Sequence, residues 1–241
     1  MALTDRAKYL TEVADNKEIN LEQPFREENI SKIAKEIDPS IVHANINLIN
    51  SAIDIQAGSQ ISIVDNFGNE VSISQSLNQF FGSGIILEDY GVLFNNAMNN
   101  FSRAPNKKNS IKPGSRPLIS LAPTIILLNE DPFLIIGGSG GERSIITMVQ
   151  FIVNIIENNL SPEEAMFAPR FCYNYLDDTI EMESRIDSES IDYLKSVGYK
   201  IKLMNSYDIY FGNIQAVWYD MSNGQYQANS DVRQEEVVFF R

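Results

Sequence analysis

Ser59-Gln60-Ile61-Ser62-Ile63-Val64-Asp65, Asn66-Phe67-Gly68-Asn69 and Glu70-Val71-Ser72-Ile73-Ser74 form one continuous stretch, and the fold turns on how it is read. Its two outer runs alternate polar and apolar side chains with period two, the pattern of half-buried strands. The four residues between them are turn formers, so the stretch predicts a β-hairpin.

Upstream, Pro24 to Ile37 predicts a short amphipathic helix, with Glu27 and Glu28 in its first turn and Ile30, Ile33, Ala34 and Ile37 at helical spacing. From Asp38 to Ala57 the pattern breaks, with Pro39 and several Asn, and reads as a linker or loop. Downstream, strands are expected at Gly91 to Phe94, Pro123 to Leu128, Phe133 to Ile136, Lys200 to Met204, Ile214 to Tyr219 and Gln225 to Ala228. The last two are joined by the turn Ser222-Asn223-Gly224. Ser144 to Asn158 predicts a helix that places Ile145, Ile146, Val149, Ile152, Val153 and Ile156 along one stripe. Ser161-Pro162-Glu163-Glu164 opens a second helix with a cap, a proline at N1 and early acid, and a third runs from Ser188 to Ser196, before Gly198. Strands, then a helical block, then strands again point to an α+β layered domain.

With 241 residues, 44% of them apolar, the chain can bury a substantial core. A formal charge of −13 repels phosphate backbones, and Lys107, Lys108, Lys112 and Arg116 are the nearest approach to a basic cluster, so nucleic acid is not expected as a partner. One cysteine, Cys172, and one histidine, His43, cannot make an intrachain disulfide or a Cys/His zinc site, and no metal or other cofactor is expected. Cys172 reads as a small buried hydrophobe and His43 as a surface residue. The start, Met1-Ala2-Leu3-Thr4-Asp5-Arg6, shows no export signal, and the longest apolar runs, Ile125 to Leu128 and Phe133 to Ile136, cannot span a bilayer; a cytoplasmic protein is the expectation.

Beyond the hairpin come Ser76-Leu77-Asn78-Gln79-Phe80-Phe81-Gly82-Ser83-Gly84, then Gly91-Val92-Leu93-Phe94-Asn95-Asn96-Ala97-Met98-Asn99-Asn100-Phe101, then Lys112-Pro113-Gly114-Ser115-Arg116-Pro117-Leu118-Ile119-Ser120-Leu121-Ala122-Pro123, then Gly137-Gly138-Ser139-Gly140-Gly141. In this order and spacing the series resembles the small subunit of γ-glutamyltransferases. Ala165 to Arg170 is similar to that family's Ala-x-x-x-Pro-Arg stretch, and Asn229-Ser230-Asp231-Val232-Arg233 to its C-terminal Ser-Asp-Pro-Arg. Asp5-Arg6-Ala7-Lys8-Tyr9-Leu10 resembles a segment near the end of the large subunit. The resemblance implies an N-terminal-nucleophile hydrolase-like αββα sandwich, with 1–57 as a large-subunit-tail-like helix and linker and 58–241 as the small-subunit-like portion. It also implies that most of a large subunit would lie upstream of Met1, so that another chain, or self-association, would cover apolar surface left open here.

In such enzymes one residue supplies both the attacking hydroxyl and, once freed by self-cleavage, the α-amine that serves as base. The resemblance puts Gly58 at that position and Ser59 at the hydroxyl residue that follows it. Gly58 can neither attack nor start an acyl shift, and Ser59, one residue along a strand, points to the opposite face. By the same resemblance Gly140 and Gly141 match the oxyanion-hole pair, Asn78 and Ser120 match residues that bind the substrate α-carboxylate, and Ser76 matches the hydroxyl that contacts the nucleophile. Taken alone, the glycines read as a turn and the other three as strand-end or loop polar groups. Asn100 stands where the family has an aspartate for the substrate's α-ammonium, Ala97 replaces a polar or acidic residue, and Ile119 replaces a serine; the charge-assisted contact is reduced to an ordinary one. Three readings follow: a catalytically degenerate family member acting as a partner or binding subunit, with a γ-glutamyl or acyl ligand; an active amidase or acyltransferase using Ser59 after self-cleavage; or a fragment of a longer gene.

Overall fold

The computed structural model describes residues 22–38, 40, 57–107, 109–234 and 237–239. The segment 5–10, His43, Lys108 and most of the 38–57 linker lie outside the described residues. Helix α1 spans Glu27–Glu36 after a 3-10 turn at Gln23–Phe25, and none of its residues is buried. The hairpin forms as its sequence predicts, from β1 (Ala57–Val64) and β2 (Glu70–Asn78), in the register Ile61 opposite Ile73 and Ile63 opposite Val71. Asp65 sets the turn: its carboxylate accepts Asn69 Nδ2 at 2.7 Å and the backbone N–H groups of Phe67 and Asn69, both at 2.8 Å, and the side-chain and then the backbone bond from Asn69 hold its pKa below the ordinary aspartate value.

Two-residue strands β3 (Ile86–Leu87) and β4 (Val92–Leu93) pair with each other. Next come β5 (Thr124–Leu128), β6 (Asp131–Ser139), α2 (Glu142–Ile156), α3 (Pro162–Phe167), β7 (Phe171–Asn174), β8 (Thr179–Glu183), α4 (Ser188–Ser196), β9 (Ile201–Met204), β10 (Asn213–Asp220) and β11 (Gln225–Ser230). The main sheet is antiparallel in the order β11-β10-β6-β5. One of its faces carries the core: Leu134, Ile136, Ile214, Ala216 and Trp218 pack with Met148 and Phe151 of α2 and with Ala165 and Met166 of α3. Helix α3 is held at its start by a capping box between Ser161 and Glu164.

The hairpin lies against the opposite face, and it is polar on the inside. Gln60, 5% exposed, donates to Ser72 Oγ at 2.9 Å and Ser62 Oγ at 3.1 Å and accepts from Ser74 Oγ, while Ser72 Oγ donates to the Ile136 carbonyl of the main sheet at 3.2 Å. Its amide lies flat on Gly137, filling the space that any Cβ there would occupy. The apolar members of the alternation, Ile61, Ile63, Val71 and Ile73, consequently point outward and are between 41% and 47% exposed. Helix, sheet and hairpin make three successive layers, α, β and β.

Two sequence expectations are revised here. Strands β7 and β8 were not foreseen, because Glu181 and Glu183 interrupt the apolar pattern of β8; both are nonetheless fully buried. The stripe expected along the first long helix is present, but the side of α2 that enters the protein carries Arg143, Ser144, Thr147, Met148 and Phe151. Val149, Val153 and Ile156 of the stripe are exposed.

Buried charges join the peripheral β7-β8-β9 sheet to the main one. Arg233 clasps Glu183 of β8 through two bonds, Nε to Oε1 at 2.6 Å and Nη2 to Oε2 at 2.9 Å, and reaches Asp231 at 3.1 Å. Asp231 also pairs with Arg170 at 2.5 Å and accepts the Ile214 amide of β10 at 3.0 Å. Arg170 donates to the Gly212 carbonyl at 2.8 Å, and burial lowers its pKa to about 10, still high enough to keep its charge at neutral pH. Removing one member of such a network strands the others without water. Arg233→Met is expected to cost about 3–5 kcal/mol in urea unfolding, with Arg233→Lys intermediate; a loss below about 1 kcal/mol, the range of exposed pairs, would show that the cluster does not anchor the fold.

Candidate active site

At the open end of the hairpin Gly58 pairs with Ser76, just where the register shifts between Ala57 and Gly58. Gly58 lies on the inward face with Gln60. A Cβ built on it would sit 3.2 Å from Ser139 Cβ and 3.3 Å from the Gln75 carbonyl, so β6 closes tightly over a bare backbone. Ser59 alternates to the outer face, the one that carries Ile61, and is exposed.

Asn78 ends β2 with φ 75°, a left-handed conformation that asparagine tolerates better than most residues. Its N–H donates to Ser76 Oγ at 2.8 Å and its Nδ2 to Asn96 Oδ1 at 3.1 Å, an oxygen that also accepts the Gln79 amide. This clamp draws the 94–101 segment against the strand end. A 3-10 turn at Ala97–Asn100 follows, and Asn100 Nδ2 donates to the Leu118 carbonyl at 2.9 Å, fastening the neighbouring 118–121 segment. Asn109 Nδ2 in turn donates to the Asn100 carbonyl at 2.6 Å.

Between these pieces lies a cavity of about 170 Å³ lined by Ser76, Asn78, Asn95, Ala97, Ile119, Ser120 and Leu121. Five positions singled out in the sequence therefore meet: Ser76, Asn78, Ala97, Ile119 and Ser120. Asn100 is not among the lining residues, because its amide is committed to the 118–121 segment behind the wall. Asn95, Asn96 and Leu121 were not singled out, although all three sit inside quoted motifs; only tertiary placement distinguishes them from ordinary loop residues. Among the described residues no Asp, Glu, Lys, Arg or His lines the cavity.

Gly140 and Gly141 lie between β6 and α2, both at positive φ, with Gly141 as the N-cap. A Cβ on Gly140 would come within 2.6 Å of Gly212 Cα, so this crossing needs glycine for packing whatever else it does. Cys172 is on β7, away from the cavity lining, and burial pushes its thiol up to about 12, which suits a core side chain and not a nucleophile. Among the described residues no group of three or more His, Cys, Asp or Glu is placed to hold a metal ion, and no helix is long and apolar enough to cross a membrane.

Comparison with known proteins gives one consistent answer. A family model described as gamma-glutamyltranspeptidase matches residues 1–240. The glutathione hydrolase proenzyme of Escherichia coli is 32% identical over 212 residues, covering 84% of this chain and 33% of that protein. Among solved structures, the γ-glutamyltranspeptidase from Pseudomonas nitroreducens complexed with L-DON is 30% identical with a TM-score of 0.65, over 76% of this chain and 98% of that one. The cephalosporin acylase from Bacillus halodurans is 27% identical with a TM-score of 0.82, over 96% of this chain and 41% of that one. These neighbours share the α+β, N-terminal-nucleophile-hydrolase sandwich. The chain spans about a third of the length of the bacterial glutathione hydrolase proenzymes it matches.

The placement of Asn100 is open to a direct check. Asn100→Asp would remove the donor to the Leu118 carbonyl and set a carboxylate against it, at an expected cost of about 1–3 kcal/mol in urea unfolding. A variant as stable as the parent would show that this bond does not hold the cavity wall.

Proposed function

Because the chain belongs to the γ-glutamyltranspeptidase family, we propose that it is a catalytically silent member of it, working as a partner or binding subunit. Residues 58–241 act in this reading as the small-subunit-like portion and 1–57 as a large-subunit-tail-like extension. The observation that carries it is Gly58, which offers no side chain to attack and around which Ser139 and the Gln75 carbonyl leave no slack. The cavity beside it adds support. A γ-glutamyl group carries both an ammonium and a carboxylate, and the described residues that line the cavity offer neither charge a counter-ion.

Ser59 is a poor replacement, since its hydroxyl leaves the strand on the face away from Ser76 and Ser139. The competing reading, an amidase or acyltransferase that cleaves itself before Ser59 and uses Gly140 and Gly141 as oxyanion donors, requires that face to turn over. Intact-mass spectrometry of the purified protein separates the two. The full 27.2 kDa is expected, stable on storage; a fragment beginning at Ser59 would overturn the silent reading and make Ser59→Ala the next variant.

Partnership is supported by what the layers leave open. In a four-layer sandwich the outer face of the hairpin is covered by helices, yet Ile61, Ile63, Val71 and Ile73 are exposed, as are Val149, Val153 and Ile156 on α2. A second polypeptide of the large-subunit kind is the occupant this reading names. Since the hairpin isoleucines are not part of the packed core, Ile61→Thr with Ile73→Thr is expected to change stability by no more than about 0.5 kcal/mol, while lowering binding of a hydrophobic dye and reducing capture of a co-expressed large-subunit-like chain. A strong loss of stability would instead mean that this face is already covered within the chain.

A further inference from the structure

We infer that two copies of this chain associate through α2, with the two helices packed antiparallel about a two-fold axis. The inference goes beyond the partnership proposed above: the hairpin face is left to a large-subunit-like chain, and α2 is assigned to a second copy.

The outward side of α2 carries Ile146, Val149, Val153 and Ile156, at successive spacings of three, four and three residues. Val149, Val153 and Ile156 are exposed and Ile146 is half-buried, whereas Ile152 and Ile155 pack against the core. This spacing keeps the four side chains on one seam, as in a coiled coil. The seam is also a palindrome, Ile-Val-Val-Ile with symmetric intervals. Turned end for end, it presents the same side chains at the same heights. In an antiparallel pair Ile146 meets the partner's Ile156 and Val149 meets the partner's Val153, the self-complementary contact that a two-fold axis requires.

The charges select the antiparallel sense. Arg143 is the second residue of α2 and Glu157 caps its far end, so each stands where the helix dipole disfavours it. The Arg143 guanidinium lies over the Tyr210 ring at 4.1 Å, and its Nε and Nη1 are closed off from water with no hydrogen-bond partner among the described residues. Such buried donors call for an acceptor. The small cavity that Arg143 lines reaches the seam at Ile146. Arg143, Gln150 and Glu157 follow one another at intervals of seven, along a single flank of the seam. In an antiparallel pair that flank reverses, which brings the partner's Glu157 to the mouth of the cavity, once at each end of the contact. A parallel pair would set like ends together, Arg143 beside Arg143 and Glu157 beside Glu157. Gln150, midway, is bonded to the Phe171 backbone and adds no charge to the flank. Glu142 lines the same cavity and opposes the incoming carboxylate, so the apolar seam carries most of the affinity and the ion pair sets direction.

Sedimentation velocity on the full-length protein alone, from about 1 to 200 µM, tests this, since a contact of one helix length is small and of modest affinity. The mass is expected to rise from 27.2 kDa toward twice that value and stop there, because a two-fold contact closes on itself. Val153→Asp, in the middle of the seam, is expected to weaken association at least about tenfold, and Glu157→Lys about threefold. Both positions are exposed, so circular dichroism should be unchanged in each. Ile61→Thr with Ile73→Thr, on the hairpin, should leave the association as it was. A mixture of Val149→Cys and Val153→Cys chains is expected to form disulfide-linked dimers faster than either chain alone, the native Cys172 being buried. A mass of 27.2 kDa at the highest concentration overturns the inference, as does association that survives both α2 variants or is lost with the hairpin pair. Faster linkage of Val149→Cys to itself overturns the antiparallel sense. Because the sample holds no large-subunit-like chain, failure here leaves the intact-mass test of catalytic silence to be decided separately.

Discussion

The attachment of the β7-β8-β9 sheet to the main sheet depends on a buried charge network of Arg170, Glu183, Asp231 and Arg233, with Arg185 joining Glu183 at its edge. Arg170 follows α3, Glu183 ends β8, and Asp231 and Arg233 follow β11, so three distant parts of the chain are brought into one hydrogen-bonded cluster. Each charge there would be costly alone, and each is held by at least one opposite partner and a backbone group. The cluster fixes where β10 begins, because Asp231 binds the Ile214 amide, and it positions Gly212 against Ser139 and Gly140. The geometry beside Gly58 is therefore set from behind, by the salt-bridge network through the strand ends.

The hairpin shows a second constraint. A strand that buries its polar side and exposes its apolar side is stable only if the polar side is saturated with hydrogen bonds, and Gln60 with three serines achieves this against the carbonyl of Ile136 and the bare surface of Gly137. The arrangement lets two sheets approach closely, since small residues and one flat amide fill the gap. It also places the hydrophobic surface on the outside, where a further layer belongs.

Much of this organisation was legible in the sequence, and its limits have physical causes. The alternation at Ser59 to Ser74 specifies a hairpin because period two is a property of the strand itself; it cannot say which face turns inward, since that depends on Gly137, far along the chain. Ser161 marks the start of α3 because capping is a local interaction, and α4 occupies the Ser188–Ser196 span expected of it, with Asp187 as its cap. Strand β8 was hidden because its glutamates look like solvent residues until Arg233 is placed beside Glu183 and Lys202 beside Glu181. At the site, the ordered motifs identified Ser76, Asn78, Ala97, Ile119 and Ser120, which do line one cavity. The clamp through Asn96 and the tie from Asn100 to Leu118 are tertiary contacts with no signature in spacing.

The closeness of Ser139 to Gly58 also couples these two positions in any substitution made at either. A side chain at position 58 would require both Ser139 and the Gln75 carbonyl to give by a few tenths of an ångström, and Ser139 is itself bonded to Asn213. Substitutions at the three positions are thus non-additive, and the order in which they occur decides which intermediates fold well. Packing against Gly58 thus couples the backbone of β1 to the side chains at the end of β6.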